Sequence, residues 1–484
     1  MARFALRAGL LTGGCLILAT ASAPALADTL RDALVLAYQT NPTLEAARAQ
    51  QRATDEGVPI AKAAGRPSLS ATGTYTEFVQ QSSNAYTAPD RVFTGAADLG
   101  VPIYSGGAVR SRVAAARIRV AAGQADLRGS ESALFSSVVA AYMDVMRTEA
   151  IVGLNRKNVN VLQVNLQATS DRFEIGELTR TDVAQSQSRL ATARSDLRTA
   201  EANLAAARET YIRLIGKAPE TLDTPPPLPN LPASAEEAVQ SALDANPDIL
   251  ASRERSKAAE KDIDVAGAGR LPTVSLYTSG TYNNYLGTLG GINHAATPQT
   301  DRSATAGARI SIPIFQGGLP AAQRRQAQAT ASATLEQEIA TERDVIAQVR
   351  SAYTAWIASK DLIVSTQTAV DAAALSLEGV RAENSVGNRT ILDILNAEQE
   401  LLNSQVQLVT AQRNAYVAGF SLLAAMGRAE ARDLNLDGGT LYDPAVNYDR
   451  VKGKFLDWQS DPAPVAKSTR TVDTPVQDGE IRGE

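Results

Sequence analysis

Apolar residues recur every seven positions along two stretches of the chain. Val183, Leu190, Leu197, Leu204 and Tyr211 make the first series; Ile394, Leu401, Leu408, Ala415 and Leu422 make the second. Small residues stand between them, at Ser186, Ala193, Ala200 and Ala207 and again at Ala397, Ser404, Ala411 and Ala418. Large and small side chains alternating at a and d positions predict closely spaced antiparallel helices with knobs-into-holes packing. A strict seven-residue repeat also demands left-handed supercoiling. No proline lies between Gly107 and Gly176, and Pro320 alone lies between Gly318 and Gly387, where a first helical turn accepts it. Each of these spans therefore predicts a helix about 100 Å long at 1.5 Å per residue. The return arms reach about half as far. The helix from Asn246 to Gly269 supplies roughly the other half, so one long helix pairs with two shorter ones stacked end to end.

Elsewhere the period falls to two. Leu69, Ala71, Tyr75 and Val79 share one face of a predicted strand, and Leu99, Val101 and Ile103 one face of the next. Val274 and Leu276 repeat the pattern, followed by Ala306, Ala308, Ile310, Ile312 and Ile314. These strands (66–79, 94–104, 272–286 and 304–315) are long enough to cross a bilayer at a tilt. Aromatic residues gather in the same regions, as the interfacial girdles of a barrel require. Four strands cannot close a barrel, for which about eight is the smallest workable number. Such a chain must oligomerise to remove its sheet edges.

The two halves are copies. Val101-Pro102-Ile103-Tyr104-Ser105-Gly106-Gly107 returns as Ile312-Pro313-Ile314-Phe315-Gln316-Gly317-Gly318, an offset of 211 that also carries Tyr142 onto Tyr353, Gly176 onto Gly387 and Asp182 onto Asp393. Asn41-Pro42 and Asn246-Pro247 each predict an N-cap with proline at the first helical position. The organisation is a signal peptide at 1–27, a first copy at 28–223 with its hairpin tip near 173–181, a Pro-rich linker at 224–232, and a second copy at 233–435 with its tip near 384–393. The tail, 436–484, is Pro-, Thr- and charge-rich and is expected to be largely disordered.

Composition narrows the chemistry. Arg3 and Arg7 precede an apolar run, and Ala25-Leu26-Ala27 offers a cleavage site, which predicts export. Loss of the two arginines leaves 45 basic residues against 52 acidic ones, net −7, with no basic excess to attract nucleic acid. Thr12-Gly13-Gly14-Cys15 is a poor lipid-attachment site, because threonine stands where leucine is preferred. No run of 18 apolar residues follows the signal, so no transmembrane helix is predicted. One cysteine and one histidine, His294 in a Gly- and Asn-rich loop, supply neither a metal-ligand set nor a catalytic pair. The chain is therefore expected to be no enzyme and to need no cofactor. A periplasmic coiled-coil scaffold or adhesin that never enters the membrane is the alternative on these features.

The two Gly-Gly junctions, and above all Val386-Gly387-Asn388-Arg389-Thr390-Ile391-Leu392-Asp393-Ile394-Leu395, resemble the TolC family of outer-membrane factors. The resemblance covers roughly residues 28–435. It implies an α+β membrane protein: a homotrimer whose twelve-strand transmembrane β-barrel, four strands per chain, sits on a coiled-coil helical barrel across the periplasm. It further implies a passive duct in the outer-membrane lipid, joined through a periplasmic adaptor protein to an inner-membrane transporter of ABC or RND type. The missing lipid site leans toward the type I secretion and general TolC kind rather than lipid-anchored drug-efflux factors. The resemblance also assigns the site. Arg389 would hold the periplasmic gate closed by bonding Thr181 and Asp182 of the other hairpin. Asp393 would face the lumen in an acidic ring, where three carboxylates repel one another, raising their pKa or drawing a cation. Asn396 stands where a second aspartate is often found and Asn384 where a gating tyrosine is. Gly176, Gly387 and Thr390 mark the tips where an adaptor would dock.

Overall fold

The computed structural model describes residues 28–81, 88–436 and 441–481. Residues 1–27, the expected signal segment with Cys15, Ala25 and Ala27, lie outside the described residues. The first copy runs α1 (Leu30–Thr40), α2 (Pro42–Asp55), α3 (Gly57–Ala63), β1 (Ser68–Glu77), β2 (Arg91–Ser105), α4 (Ala108–Glu174) and α5 (Arg180–Ile215). The second runs α6 (Ala235–Ala245), α7 (Pro247–Gly267), β3 (Thr273–Asn284), β4 (Thr300–Ser311), α8 (Leu319–Ser385) and α9 (Ile391–Ala425), and α10 (Pro444–Val451) follows. Helices α4 and α8 have 67 residues each, about 100 Å of unbroken helix. Among the described residues no helix is long and apolar enough to cross a membrane.

The stacking of two short helices against one long one is held at its joint by an asparagine in each copy. Asn41 Oδ1 accepts the amides of Thr43 and Leu44, capping α2, while its Nδ2 donates to the Leu214 carbonyl at the end of α5. Asn246 does the same for α7, bonding Asp248, Ile249 and the Ala425 carbonyl of α9. One buried side chain thus satisfies the start of one helix and the end of the next. The main core lies at this level. Leu34 and Tyr38 of α1, Phe135 and Tyr142 of α4, Leu204 and Tyr211 of α5, and Phe420 and Leu423 of α9 pack together there. The Tyr142 hydroxyl donates to the carbonyls of Asp28 and Asp223, pinning the linker's start, and its counterpart Tyr353 bonds Ala233 beyond the linker's end.

The sheet is an antiparallel meander in the order β1-β2-β3-β4, with the two copies joined edge to edge through β2 and β3. Leu69 pairs with Leu99, Tyr75 with Phe93, Val101 with Leu276 and Val274 with Ile310, so the apolar residues of all four strands share one face. That face has no cover among the described residues: Leu69 is 75% and Ile310 65% exposed. Four expected members leave it, the first being Val79, which lies past the end of β1. The register shifts between Pro102 and Tyr104, which places Tyr104 opposite Val274 and leaves Ile103 without a ladder partner. Proline has no N–H to continue the ladder, and a bulge absorbs the interruption. Ile312 and Ile314 lie past the end of β4 for the same reason, since Pro313 follows Ser311 so closely.

The seven-step stripe of α5 is buried at Leu190 and Leu204 and half-buried at Leu197. On α9 the repeat is buried at its ends, Ile394 and Leu422, and departs in the middle. Leu401 and Leu408 are half-buried, while Leu395 and Leu402, about 100° further round the helix, are covered.

The expected disorder of the tail is also corrected. Helix α10 packs beside α2 through Asn447, whose Nδ2 bonds the buried Asp55 at 2.7 Å. The chain then turns back, passes Gly216 with Thr469, and descends along α5. Arg208, with no exposed surface, donates to the Asp478 carbonyl and carboxylate as well as to Glu149. Gln477 N donates to Glu209, Gly479 lies flat against Glu201, and Ile481 joins the main core. Composition pointed to disorder because the segment has few apolar residues; a buried guanidinium needing acceptors overrides it. Deleting residues 461–484 is expected to speed amide exchange in 149–153 and 201–212 by about tenfold. Exchange in α8 and α9 should stay unchanged; equal rates in all four helices would mean the strap does not hold.

Candidate functional site: the hairpin tips

Each long hairpin turns through the same local device. In the first, Gly176 adopts φ +82° and its amide bonds the Phe173 carbonyl, while Glu177 N reaches back to Arg172. In the second, Gly387 has φ +82° and bonds Asn384, while Asn388 N reaches Glu383. These left-handed closures satisfy the last carbonyls of α4 and α8. A Cβ at either glycine would meet nothing within 4 Å, so both tips stand clear of their own chain. Phe173, Ile175, Val386 and Leu392 are exposed around them.

The return helices start with matching capping boxes. Asp182 Oδ2 accepts from the Thr179 amide at 2.9 Å and hydroxyl at 2.7 Å, and Thr179 Oγ1 accepts from Asp182 N. Asp393 and Thr390 repeat this at 2.9 and 2.8 Å. Asp182 and Asp393 are therefore cap residues first. The Thr390 amide, then its hydroxyl, holds the Asp393 carboxyl below its ordinary value. The Thr179 hydroxyl, then its amide, does so for Asp182. Within the protomer the Asp393 shift thus runs opposite to the expected rise.

The expected latch is not drawn within one chain. Arg389 Nε pairs with Glu383 Oε2 at 2.7 Å inside its own hairpin. Asn384 Nδ2 donates to the Arg389 carbonyl at 2.7 Å, which sets the turn from the inside. Thr181 is exposed in the first turn of α5. What does join the two hairpins lies one to two turns higher. Arg189 of α5 donates to Asn396 Oδ1 of α9 at 2.7 Å. The buried Glu398 accepts from Asn165 of α4 at 2.9 and 3.0 Å and from Arg381 of α8 at 3.0 Å. Leu162, Leu190, Ala193 and Leu395 form a small apolar cluster beside these bonds. Glu398 was overlooked in the sequence, yet it interrupts the line Ile391–Leu395–Leu402 that α9 buries. Among the described residues no group of His, Cys, Asp and Glu could hold a metal ion.

A family profile described as outer membrane efflux protein matches residues 33–217 and 238–428, one block per copy. The chain belongs to the outer membrane efflux protein family. It is 34% identical to the outer membrane efflux protein BepC of Brucella suis over 89% of this chain and 92% of that one. It is 27% identical to the outer membrane protein TolC of Escherichia coli over 84% of each. The Campylobacter jejuni CmeC outer membrane channel superposes with a TM-score of 0.73 at 16% identity, over 88% of this chain and 89% of that one. The structural neighbours are trimeric outer-membrane channels, and in the family three chains of four strands close a twelve-strand barrel. The protein stands in the outer membrane and extends into the periplasm, as an exit duct for efflux and/or type I secretion. Family members work with adaptor proteins and inner-membrane transporters. The matched blocks stop at residue 428, so the strap along α5 lies outside them.

Because the two cap carboxyls titrate below their unfolded value, their contribution is present at neutral pH and is lost only as pH falls through the lowered value. Amide exchange at 179–183 and 390–394 should be flat from pH 8 to 5, after correction for intrinsic rates, and rise below the ordinary aspartate value of 3.8. Replacing Thr179 or Thr390 with alanine should weaken that helix start by about 1 kcal/mol.

Proposed function

We propose that this duct receives cargo at its helical tips from a periplasmic adaptor, which docks on the surface around Gly176, Gly387 and Thr390. The inner-membrane partner, of ABC or RND type, supplies both energy and choice of cargo, and the duct itself is passive. The reading rests above all on one feature: two tips of identical geometry, unobstructed by their own chain and ringed by exposed apolar side chains. Solvated helix ends have no need of Ile175 or Val386.

Closure of the duct is assigned to two sets of bonds. Within each protomer, Arg189–Asn396 and the Glu398 cluster hold the hairpins side by side. Between neighbours, Arg389 exchanges Glu383 for Thr181 and Asp182 of the adjoining chain. Asn396 is neutral and occupied by a guanidinium, so the ring around Asp393 carries one carboxylate level per chain rather than two. Cation block at this tip is correspondingly weak.

Gly387→Asn keeps a side chain that tolerates positive φ and should export normally, whereas Gly387→Arg covers the docking surface and should abolish export with the trimer intact. Normal transport by Gly387→Arg in a strain lacking the native gene overturns the docking assignment. In planar bilayers Arg189→Ala should raise conductance, and so should Arg389→Ser. If Arg389→Ser leaves conductance unchanged while Arg189→Ala raises it, closure belongs to the tie inside the chain alone.

A further inference from the structure

The opposite face of the sheet is mainly polar, and its charges are few and ordered. Cross-strand pairing places Ser70, Asp98, Ser279 and Thr305 in one row, Thr72, Ala96, Thr281 and Ser303 in the next, and Thr74, Thr94, Asn283 and Asp301 beyond it. Contacts between side chains agree with the pairing. Ser279 Oγ donates to Asp98 Oδ1 at 2.6 Å, Thr281 and Ser303 share a 2.6 Å bond, and Thr94 donates to Asn283 at 2.8 Å. Directly paired residues lie on the same side of a sheet, so this side faces the lumen once the apolar side faces lipid. The described strands put three charged residues on it: Asp98 in mid-sheet, Asp301 near the outer mouth and Arg309 near the helices. Arg309 lies against the Tyr277 ring at 5.3 Å, which holds the guanidinium along the wall.

Threefold symmetry brings each of these residues to one height. Twelve strands about 4.8 Å apart, tilted by roughly 40°, enclose a barrel about 24 Å across between backbones. Side chains reduce that width, so the axis lies within about one Debye length, 8 Å at physiological salt, of every carboxylate. We propose that the barrel carries its own charge filter, a ring of three Asp98 carboxylates that raises the local concentration of cationic solutes, with an Arg309 ring of opposite sign on its inner side. This inference rests on the barrel reading and adds to it a selectivity element separate from the periplasmic tip. Ser279 acts as a positioning residue, since its hydroxyl holds Asp98 against the wall.

Bilayer current would mix this filter with the tip, so a probe local to the barrel is needed. The only cysteine is Cys15, and its replacement by serine leaves a chain without thiols. In that background Thr281→Cys, one row from Asp98, is reconstituted in lipid vesicles and treated with cationic and anionic methanethiosulfonates of similar size. The cationic reagent should react faster, and adding Asp98→Asn should lower the cation-to-anion rate ratio by about fivefold at 0.1 M salt and little at 1 M. Arg309→Ala should move the ratio the other way. A ratio unchanged by Asp98→Asn overturns the filter. Ala306→Cys, on the apolar face, serves as the control. If it reacts as fast as Thr281→Cys, the sheet is not in lipid, and the barrel reading falls together with the filter.

Discussion

The open edges of the sheet constrain everything else in this protein. The outward-facing N–H and C=O groups of β1 and β4 have no strand beside them among the described residues. In water such groups bond solvent; in a bilayer each one left unpaired costs several kcal/mol. A protomer whose apolar sheet face requires lipid therefore cannot stand in lipid alone, and β1 of one chain must pair with β4 of another. Closure by three chains also fixes the helices below. The four-strand span and the helical columns beneath it leave each protomer through the same short junctions, so the barrel dictates where the long hairpins start.

The helical part answers a second constraint, the supply of hydrogen-bond partners at helix ends far from any sheet. Stacking α2 over α5, and α7 over α9, brings an N-terminus and a C-terminus together inside the core. Asn41 and Asn246 resolve both at once, with an acceptor oxygen for one helix start and a donor nitrogen for the other helix end. Tyr142 and Tyr353 then attach the Pro-rich linker to the same level.

The duplicated architecture, the strand faces and the half-length return arms were legible in the sequence because each rests on a period or on a repeated offset. The tips were legible only in part. Thr179-Arg180-Thr181-Asp182 and Thr390-Ile391-Leu392-Asp393 are capping-box patterns, and reading Asp182 and Asp393 as gate residues alone passed over the bonds they make to their own helices. Arg389–Glu383 and Arg189–Asn396 depend on rotamers at exposed helix ends, which no spacing specifies. The tail was misjudged because its order comes from contacts with Arg208 and Gly216, more than 250 residues away in sequence, and not from a core of its own.

That strap has a consequence for the ring as a whole. Duplication in a trimer yields six hairpins whose tips are near-equivalent, a sixfold arrangement made from three copies of one chain. The strap lies on α4 and α5 and has no counterpart on α8 and α9 among the described residues. Below the joint, then, the outer wall alternates between dressed and bare hairpins and is only threefold. A partner that surrounds the duct with six identical subunits finds equal footholds at the tips alone; higher up, it must either differ between alternate subunits or leave every second one unattached.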